Sequence, residues 1–292
     1  MKKLILFAVM ALCPFAAFAQ GGTEAMPFIR TSLGPLYTAT SGAAVASPDA
    51  GAWSAFRSAS ALTMSESLFN AGVEGRMSGT FPGGSVAAAF KPMDKLGLAI
   101  GAMYQSGDIL GDYRTSDAIV SAGASFGVTD NLSVGVNARL AKQNLAAGIA
   151  YSAVSADFSV LDRISDAVYA TAGVSALGGK VTSASGTQYS QPGNAYAGLE
   201  FRTEAFDGVI NADAMAEYYF SGAYATAVGV GFTYRESASI LFGYRYASQW
   251  CVMPSQFSAG AGYNFGPVSL NLSYVRISSQ NIIALGVGYT IK

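Results

Sequence analysis

The 292-residue sequence contains no histidine. Histidine is the side chain that most often acts as a general base near neutral pH, so a Ser-His-Asp hydrolase is excluded. A zinc site with histidine ligands is excluded for the same reason. We therefore expect a protein that is not an enzyme and that carries no cofactor or catalytic metal.

Charge and cysteine are also scarce. Charged residues make up 12% of the chain, about half of the roughly 25% found in soluble domains. The formal net charge is −1 and there is no basic block, so nucleic-acid binding is not expected. The two cysteines are Cys13 and Cys251. Cys13 lies in the leader described next, so no internal disulfide is expected in the mature chain.

The N-terminus has the pattern of an export signal. Lys2 and Lys3 precede an apolar run over residues 4–16, and residues 17–19 (Ala-Phe-Ala) give a small-x-small cleavage site. An N-terminal membrane anchor is the alternative, but the run is short of the roughly 20 residues of a spanning helix. We expect residues 1–19 to be a cleaved signal peptide and the mature chain to begin at Gln20.

Long apolar runs are absent after residue 19, although 51% of the chain is hydrophobic. Large apolar residues instead alternate with glycine, alanine, serine and other small or polar residues, which is the period of a β-strand. The alternation is clearest in residues 96–104, 132–140, 228–234, 240–246, 257–265, 268–274 and 283–291. In a bilayer such strands must close into a barrel, because every backbone group needs a hydrogen-bond partner.

The connections between these runs alternate in length. Short turns are predicted at 93–95, 129–131, 235–237 and 266–267, and longer polar connections at 107–115, 182–192 and 248–255. This pattern is typical of membrane barrels with tight periplasmic turns and larger outer loops. A soluble β-sandwich is the alternative, but its outward faces would be polar. Here aromatic residues cluster near strand ends, as in an interfacial girdle.

The segment count predicts an all-β, transmembrane antiparallel barrel of about fourteen strands over residues 63–292. Residues 20–62 do not alternate, and residues 49–62 read as a short helix. This segment is too short and too rich in small residues to bury a core of its own. We expect it to lie in the lumen as a plug.

Several stretches resemble the PorV/PorQ family, whose members are relatives of the FadL transporters. The N-terminal match is Ser41-Gly42-Ala43-Ala44-Val45-Ala46 followed by Asp49, with residues 56–59 at the place of the family's Asn-Pro-Ala turn. Further matches lie at residues 173–181, 191–199, 241–246 and 257–263. The resemblance implies a FadL-like barrel that is a shorter paralogue, associated with the type IX secretion system.

Parity places five charged residues inside the barrel: Arg139, Glu200, Arg202, Arg235 and Arg245. Such charges mark a conduit, or they pair with each other and with the plug backbone. A general ion porin would carry a denser set of charges. Asp108, Asp112 and Asp117 share one predicted loop, where they are either solvated acids or oxygen ligands for calcium.

Two predicted loops carry apolar residues where polar ones are expected. One contains Trp250 and Met253, beside the free thiol of Cys251, and the other contains Ile109, Leu110 and Tyr113. Exposed residues of these types are enriched in interfaces, so both loops are candidate partner contacts. The alternative is that the side chains fold inward and close the barrel mouth.

Three functions remain open at this stage. The first is an accessory subunit of an envelope secretion or assembly machine, embedded in outer-membrane lipid and lipopolysaccharide and bound to a larger outer-membrane complex. The second is FadL-like transport of hydrophobic small molecules. The third is a purely structural barrel. Fold alone does not decide among them.

Overall fold

The computed structural model describes residues 24–79, 81–110, 113–145, 149–182, 186–278 and 280–292, without the side chains of residues 108–110 and 113. The predicted signal peptide and Gln20 lie outside the described residues. No helix in the described part of the chain is long and apolar enough to cross a membrane.

The described residues form sixteen strands, and fourteen of them close into one antiparallel barrel, as predicted. The strands are β1 (Phe69–Ser78), β2 (Gly83–Met93), β3 (Leu96–Leu110), β4 (Tyr113–Gly127), β5 (Leu132–Asn144), β6 (Ala150–Ser165), β7 (Val168–Gly178), β8 (Val181–Thr182), β9 (Gln188–Tyr189), β10 (Asn194–Ala205), β11 (Gly208–Tyr219), β12 (Tyr224–Tyr234), β13 (Ala238–Ala247), β14 (Gln256–Phe265), β15 (Val268–Ile277) and β16 (Gln280–Ile291). Strands β8 and β9 form a separate hairpin in the connection from β7 to β10. Pairing of β1 with β16, from Phe69↔Ile291 to Ser78↔Ile282, closes the cylinder.

The alternation predicted from the sequence separates two surfaces. Outward side chains of β16, such as Leu285 (56% exposed), contribute to a broad apolar surface, whereas inward residues such as Ala284 (1% exposed) are buried. The same pattern continues around the wall, which is the arrangement of a membrane-spanning barrel with a filled lumen. Short turns at 94–95, 166–167, 206–207 and 266–267 lie at the end where β1 begins and β16 ends. By the usual rule this end is periplasmic.

One predicted loop is a hairpin instead. Strands β3 and β4 continue to Leu110 and from Tyr113, so most of the predicted loop 107–115 is paired backbone. Asp108, Ile109, Leu110 and Tyr113 therefore lie in strands, and Asp112 is outside the described residues. The prediction failed because the polar residues of this stretch indicate a loop, while the ladder between β3 and β4, each 15 residues long, carries on past them.

The N-terminal segment is built of short helical turns. Pro27–Arg30 and Pro48–Phe56 are 3-10 helices, and Pro35–Ala39 and Ala61–Met64 are α-helices. The single helix predicted over residues 49–62 is wrong, because Gly51 (φ 53°, ψ −131°) breaks the first turn. The Asn70 side chain of β1 lies in that break and accepts a hydrogen bond from the Ala52 N–H at 3.0 Å.

These turns pack directly against the inner wall. A side chain at Gly243 would lie 2.2 Å from the carbonyl carbon of Thr40, and one at Gly135 would lie 2.2 Å from the backbone nitrogen of Ser60. Glycine is required at both positions because backbone meets backbone there. We call residues 24–62 the plug from here on, since they occupy the lumen.

Gly243→Ala should lower the free energy of unfolding by about 1–3 kcal/mol, because the added methyl group overpacks the contact with the plug. The chain has two tryptophans, Trp53 in the plug and Trp250 in a loop. In a Trp250→Phe background, guanidinium unfolding of the purified barrel followed by Trp53 emission reports on the plug. Gly75→Ala is the control, because a side chain there meets nothing within 4 Å. Equal midpoints for the two variants would contradict the packing.

Candidate functional site

The plug runs through the lumen from the outer end to the periplasmic end. At the outer end Glu24 pairs with Ser190 of the β7–β10 connection, and the Ala25 N–H donates to the Ser190 carbonyl at 2.8 Å. At the other end the chain leaves the lumen and enters β1 at Phe69. Most residues between 26 and 62 are buried. The candidate site is therefore the space between plug and wall.

Serines of the wall hold the plug backbone. Ser121 donates to the Ala55 carbonyl at 2.5 Å, Ser133 to the Ser60 carbonyl at 2.5 Å and Ser258 to the Ala39 carbonyl at 2.7 Å. These carbonyls lie in short helical turns, where many backbone groups have no partner within the helix. The serine hydroxyls of the inner face thus supply the hydrogen bonds that water would otherwise donate to these carbonyls.

A cavity of about 120 Å³ remains near the outer end. Its floor is formed by Thr31, Ser32 and Thr38 of the plug. The wall contributes apolar side chains together with amides and one arginine: Arg76, Ser78, Phe81, Gln105, Met253, Gln256, Val275, Ile277, Gln280 and Ile282. An apolar cavity of roughly 150 Å³ is known to bind benzene, so this space is of the size of a one-ring molecule.

A buried carboxylate just below the outer mouth connects the plug to the wall. Glu217 of β11 accepts hydrogen bonds from Arg30 (2.6 Å), Arg57 (2.7 Å) and Arg245 (2.5 Å). The Tyr219 hydroxyl donates to its second oxygen at 3.0 Å. Arg30 and Arg57 belong to the plug and Arg245 to β13. One carboxylate therefore joins plug and wall through charge-assisted bonds, which are the strong ones.

A second ion pair connects the plug to an irregular part of the wall. Arg139 donates to the Phe56 carbonyl of the plug and to Asp157 of β6, both at 2.7 Å. Asp157 also accepts the Ala176 N–H at 2.7 Å. Ala176 has a left-handed φ of 53°, and the ladder between β6 and β7 shifts register between Ala156 and Phe158. The bulge in β7 is thus fixed by Asp157, whose partner Arg139 also binds the plug.

The periplasmic end carries a third set of charges. Arg202 pairs with Glu200 on its own strand and with Asp49 of the plug at 2.9 Å. Glu200 is buried, whereas Asp49 is largely exposed.

Arg235 is the exception among the five charges predicted to be lumenal, and its placement was wrong. It lies in the turn between β12 and β13 with a φ of 46°, is exposed, and pairs with Asp207 at 3.0 Å. The alternation of the strand ends where φ becomes positive, so parity cannot be carried into the turn.

The calcium alternative required Asp117 to share a loop with Asp108 and Asp112, but Asp117 lies in a strand. Asp117 faces the lumen from β4 and accepts hydrogen bonds from Gln105 and Gln143, each at 2.9 Å. Reading it as a solvated loop acid was therefore also wrong. No group of three or more potential metal ligands occurs among the residues whose positions are described.

The loop after β13 divides into exposed and inward parts. Trp250 is 65% exposed, whereas Cys251 and Val252 pack against the cluster around Tyr219, and Met253 lines the outer cavity. The alternative, in which the side chains fold inward at the barrel mouth, thus holds for Cys251, Val252 and Met253 but not for Trp250. A partner contact at Trp250 stays a prediction.

Comparison with known proteins bears on the fold. No protein-family model matches the sequence, and no curated relative matches it either. Solved structures do match. The toluene transporter TbuX of Ralstonia pickettii is 12% identical with a TM-score of 0.66, covering 89% of this chain and 99% of its own. The CymD monoaromatic hydrocarbon channel is 14% identical with a TM-score of 0.68, covering 89% and 97%.

A FadL homologue of Pseudomonas aeruginosa is 10% identical with a TM-score of 0.63, covering 90% of this chain and 99% of its own. The fold is FadL-like. At these identities the similarity concerns the fold and not the ligand. The comparisons give the PorV/PorQ assignment and the type IX secretion association no specific support.

Sequence reasoning missed the centre of this site. Glu217 and Asp157 stand at inward positions of β11 and β6 and alternate with outward residues, so the parity that found Arg139 and Arg245 could have found them. Arg30 and Arg57 could not be found in this way, because the plug has no repeating period.

Glu217→Gln should destabilise the FadL-like barrel by about 3–5 kcal/mol, because it leaves three buried arginines without their shared carboxylate. Guanidinium unfolding followed by Trp53 emission in the Trp250→Phe background measures this. Glu236→Gln is the control, since it breaks an exposed pair with Lys292 worth less than about 1 kcal/mol. The importance of this cluster is refuted if Glu217→Gln unfolds at the midpoint of the control.

Proposed function

We propose that this protein is an outer-membrane channel for hydrophobic small molecules, in which the plug must move before a molecule can pass. Three observations support it: the FadL-like fold, the plug that fills the lumen, and the cavity of about 120 Å³ between plug and wall near the outer end. The cavity carries the proposal. Its volume and its Phe81, Val275 and Ile282 side chains fit a one-ring or short-chain molecule.

The neighbours agree with this substrate class. One is described as a toluene transporter and another as a monoaromatic hydrocarbon channel. Transfer of an apolar molecule from water into an apolar cavity lowers its free energy. Entry at the outer mouth therefore needs no energy source. Pockets of this kind are mostly apolar with a few fixed polar groups, and Gln105, Gln256 and Arg76 would supply those here.

The wall offers a route away from the lumen at the bulge in β7. The β6–β7 ladder ends at Ser155↔Gly178, and the next carbonyl of β6, that of Val154, accepts its hydrogen bond from the Gln191 side chain at 3.0 Å. One side-chain hydrogen bond breaks more easily than the backbone hydrogen bonds of a paired strand. We infer that a plug movement which frees Arg139 from the Phe56 carbonyl would loosen Asp157 and this part of the wall together.

A reversible cross-link tests whether the plug must move. The hydroxyl oxygens of Ser41 in the plug and Ser258 in β14 lie 2.7 Å apart. In a Cys251→Ser background, Ser41→Cys with Ser258→Cys should form a disulfide that fixes the plug. Toluene uptake into proteoliposomes should then fall to the level of protein-free vesicles after oxidation and recover after reduction.

Ser116→Cys with Asn144→Cys is the matched control. These residues already face each other across β4 and β5, with Asn144 donating to Ser116 at 3.0 Å, so their disulfide leaves the plug free and uptake unchanged. Full uptake through the oxidised Ser41–Ser258 variant would contradict plug movement. Uptake no higher than in empty vesicles for every variant would contradict the channel itself.

A second candidate function, that of an accessory subunit of a larger envelope complex, depends on Trp250. A tryptophan that is 65% exposed on an outer loop is the kind of residue that anchors a protein interface. The fold comparisons favour the channel over this function.

Trp250→Ala should leave heat-modifiability and toluene uptake unchanged, because the side chain is mostly exposed and does not line the cavity. If the protein is a subunit, the same change should weaken co-purification of a stoichiometric envelope partner, identified by mass spectrometry. Undiminished recovery of every partner would argue against the subunit role.

A further inference from the structure

A groove on the lipid-facing surface lies near the periplasmic end, away from the lumen. Its lining residues come from the β10–β11 turn and from β11, β12 and β13: Phe206, Ile210, Val230, Gly231, Phe232, Ile240 and Phe242. The volume is about 390 Å³, and the lining is apolar. Most of a barrel surface is convex, so a concave apolar surface of this size has room for part of a chain-like molecule.

Phe206 forms one side of this groove, and its backbone has an unfavourable, left-handed conformation. It is 85% exposed and has a φ of 53°, followed by Asp207 with a φ of 56°. These angles belong to a two-residue hairpin turn that favours asparagine and glycine. An aromatic residue in the left-handed region is strained, and nothing in the turn itself requires a phenyl ring.

Charges of both signs stand at the end of the groove. Arg235 lies over the Tyr234 ring at 5.0 Å and pairs with Asp207 at 3.0 Å, with both side chains more than half exposed. The Arg235 N–H also donates to the Asp207 carbonyl at 3.0 Å, which ties the two turns together. Nearby, the exposed Glu236 pairs with Lys292 at 3.2 Å. A zwitterion could exchange partners with such pairs without leaving any charge unmatched.

We propose that this groove binds a phospholipid with a phosphoethanolamine headgroup. The acyl chain lies against Phe206, Ile240 and Phe242, the phosphate is held by Arg235, and the ammonium group by Asp207. The groove is at the short-turn end, which is the periplasmic leaflet. This binding site is independent of the proposed channel function, since the lining side chains are on the outer face of the barrel and Gly231, at an inward position, contributes only backbone.

The test is native mass spectrometry of the full mature protein, purified in mild detergent and supplied with palmitoyl-oleoyl phosphatidylethanolamine or phosphatidylglycerol. Wild-type protein should retain one phosphatidylethanolamine in preference to phosphatidylglycerol. Phe206→Gly should lower retention about tenfold, the effect of losing one aromatic contact, while leaving heat-modifiability intact because glycine relieves the strain. Ile240→Ala shortens the opposite side of the groove and should act in the same direction.

Two further variants separate the headgroup from the chain. Asp207→Asn should reduce the preference for phosphatidylethanolamine about threefold, as expected for an exposed charge pair, while phosphatidylglycerol retention stays the same. Phe126→Ala is the control, since it removes an exposed ring from the lipid-facing side of β4 and should retain lipid as the wild type does. Equal retention in Phe206→Gly and Phe126→Ala overturns the proposal. So does a mass of two barrels without lipid, which would assign the groove to a second copy.

Discussion

At Gly135 and Gly243 the backbone of the plug lies against the backbone of the wall, with no side chain between them. This close approach fills the lumen so well that the described structure contains a plugged barrel and not an open pore. It also explains why the inner faces of the strands are rich in glycine, alanine and serine. Larger inward side chains would displace the plug, and polar ones without hydrogen-bond partners would be costly in a space that excludes water.

The charges inside the lumen depend on the same packing. Glu217, Arg30, Arg57 and Arg245 are all buried, and buried ion pairs give little net stability compared with apolar packing. They do fix one arrangement, because breaking any pair leaves an unmatched charge. The ion pairs and hydrogen bonds therefore fix the orientation of the plug, while apolar side chains such as Phe28, Trp53 and Phe56 pack it against the wall. The polar contacts can be exchanged for others when a ligand enters, whereas a fully apolar interface would offer the plug no alternative partners.

The fold could be predicted from the sequence because a membrane barrel repeats one simple rule. Residues 283–291 alternate over their whole length, and their outward and inward faces lie as the alternation requires. The rule fails where the strand ends or lengthens. Arg235 lies outside because its φ is positive, and Asp117 lies inside because β4 begins earlier than the turn residues indicated.

The site could be predicted only in part. Arg139 and Arg245 follow from parity, but their partners lie on the plug or on strands far away in sequence, such as Glu217. The plug has neither a period nor a regular helix, so nothing in residues 24–62 indicates that Arg30 and Arg57 converge on one carboxylate. The resemblance to PorV/PorQ proteins led to the right barrel architecture and to a functional association that the comparisons leave without support.

The proposed channel requires the plug to close the lumen and to move when a hydrophobic molecule binds. Hydrogen–deuterium exchange of the mature protein in lipid, with and without toluene, measures this directly. Without toluene, the amides of Thr38, Thr40 and Ala43, which donate to Gly34, Leu36 and Thr40 carbonyls, should be as protected as those of the strands. With toluene they should exchange faster while the strands stay unchanged. Plug amides that keep their full protection at toluene concentrations that support uptake would contradict the account.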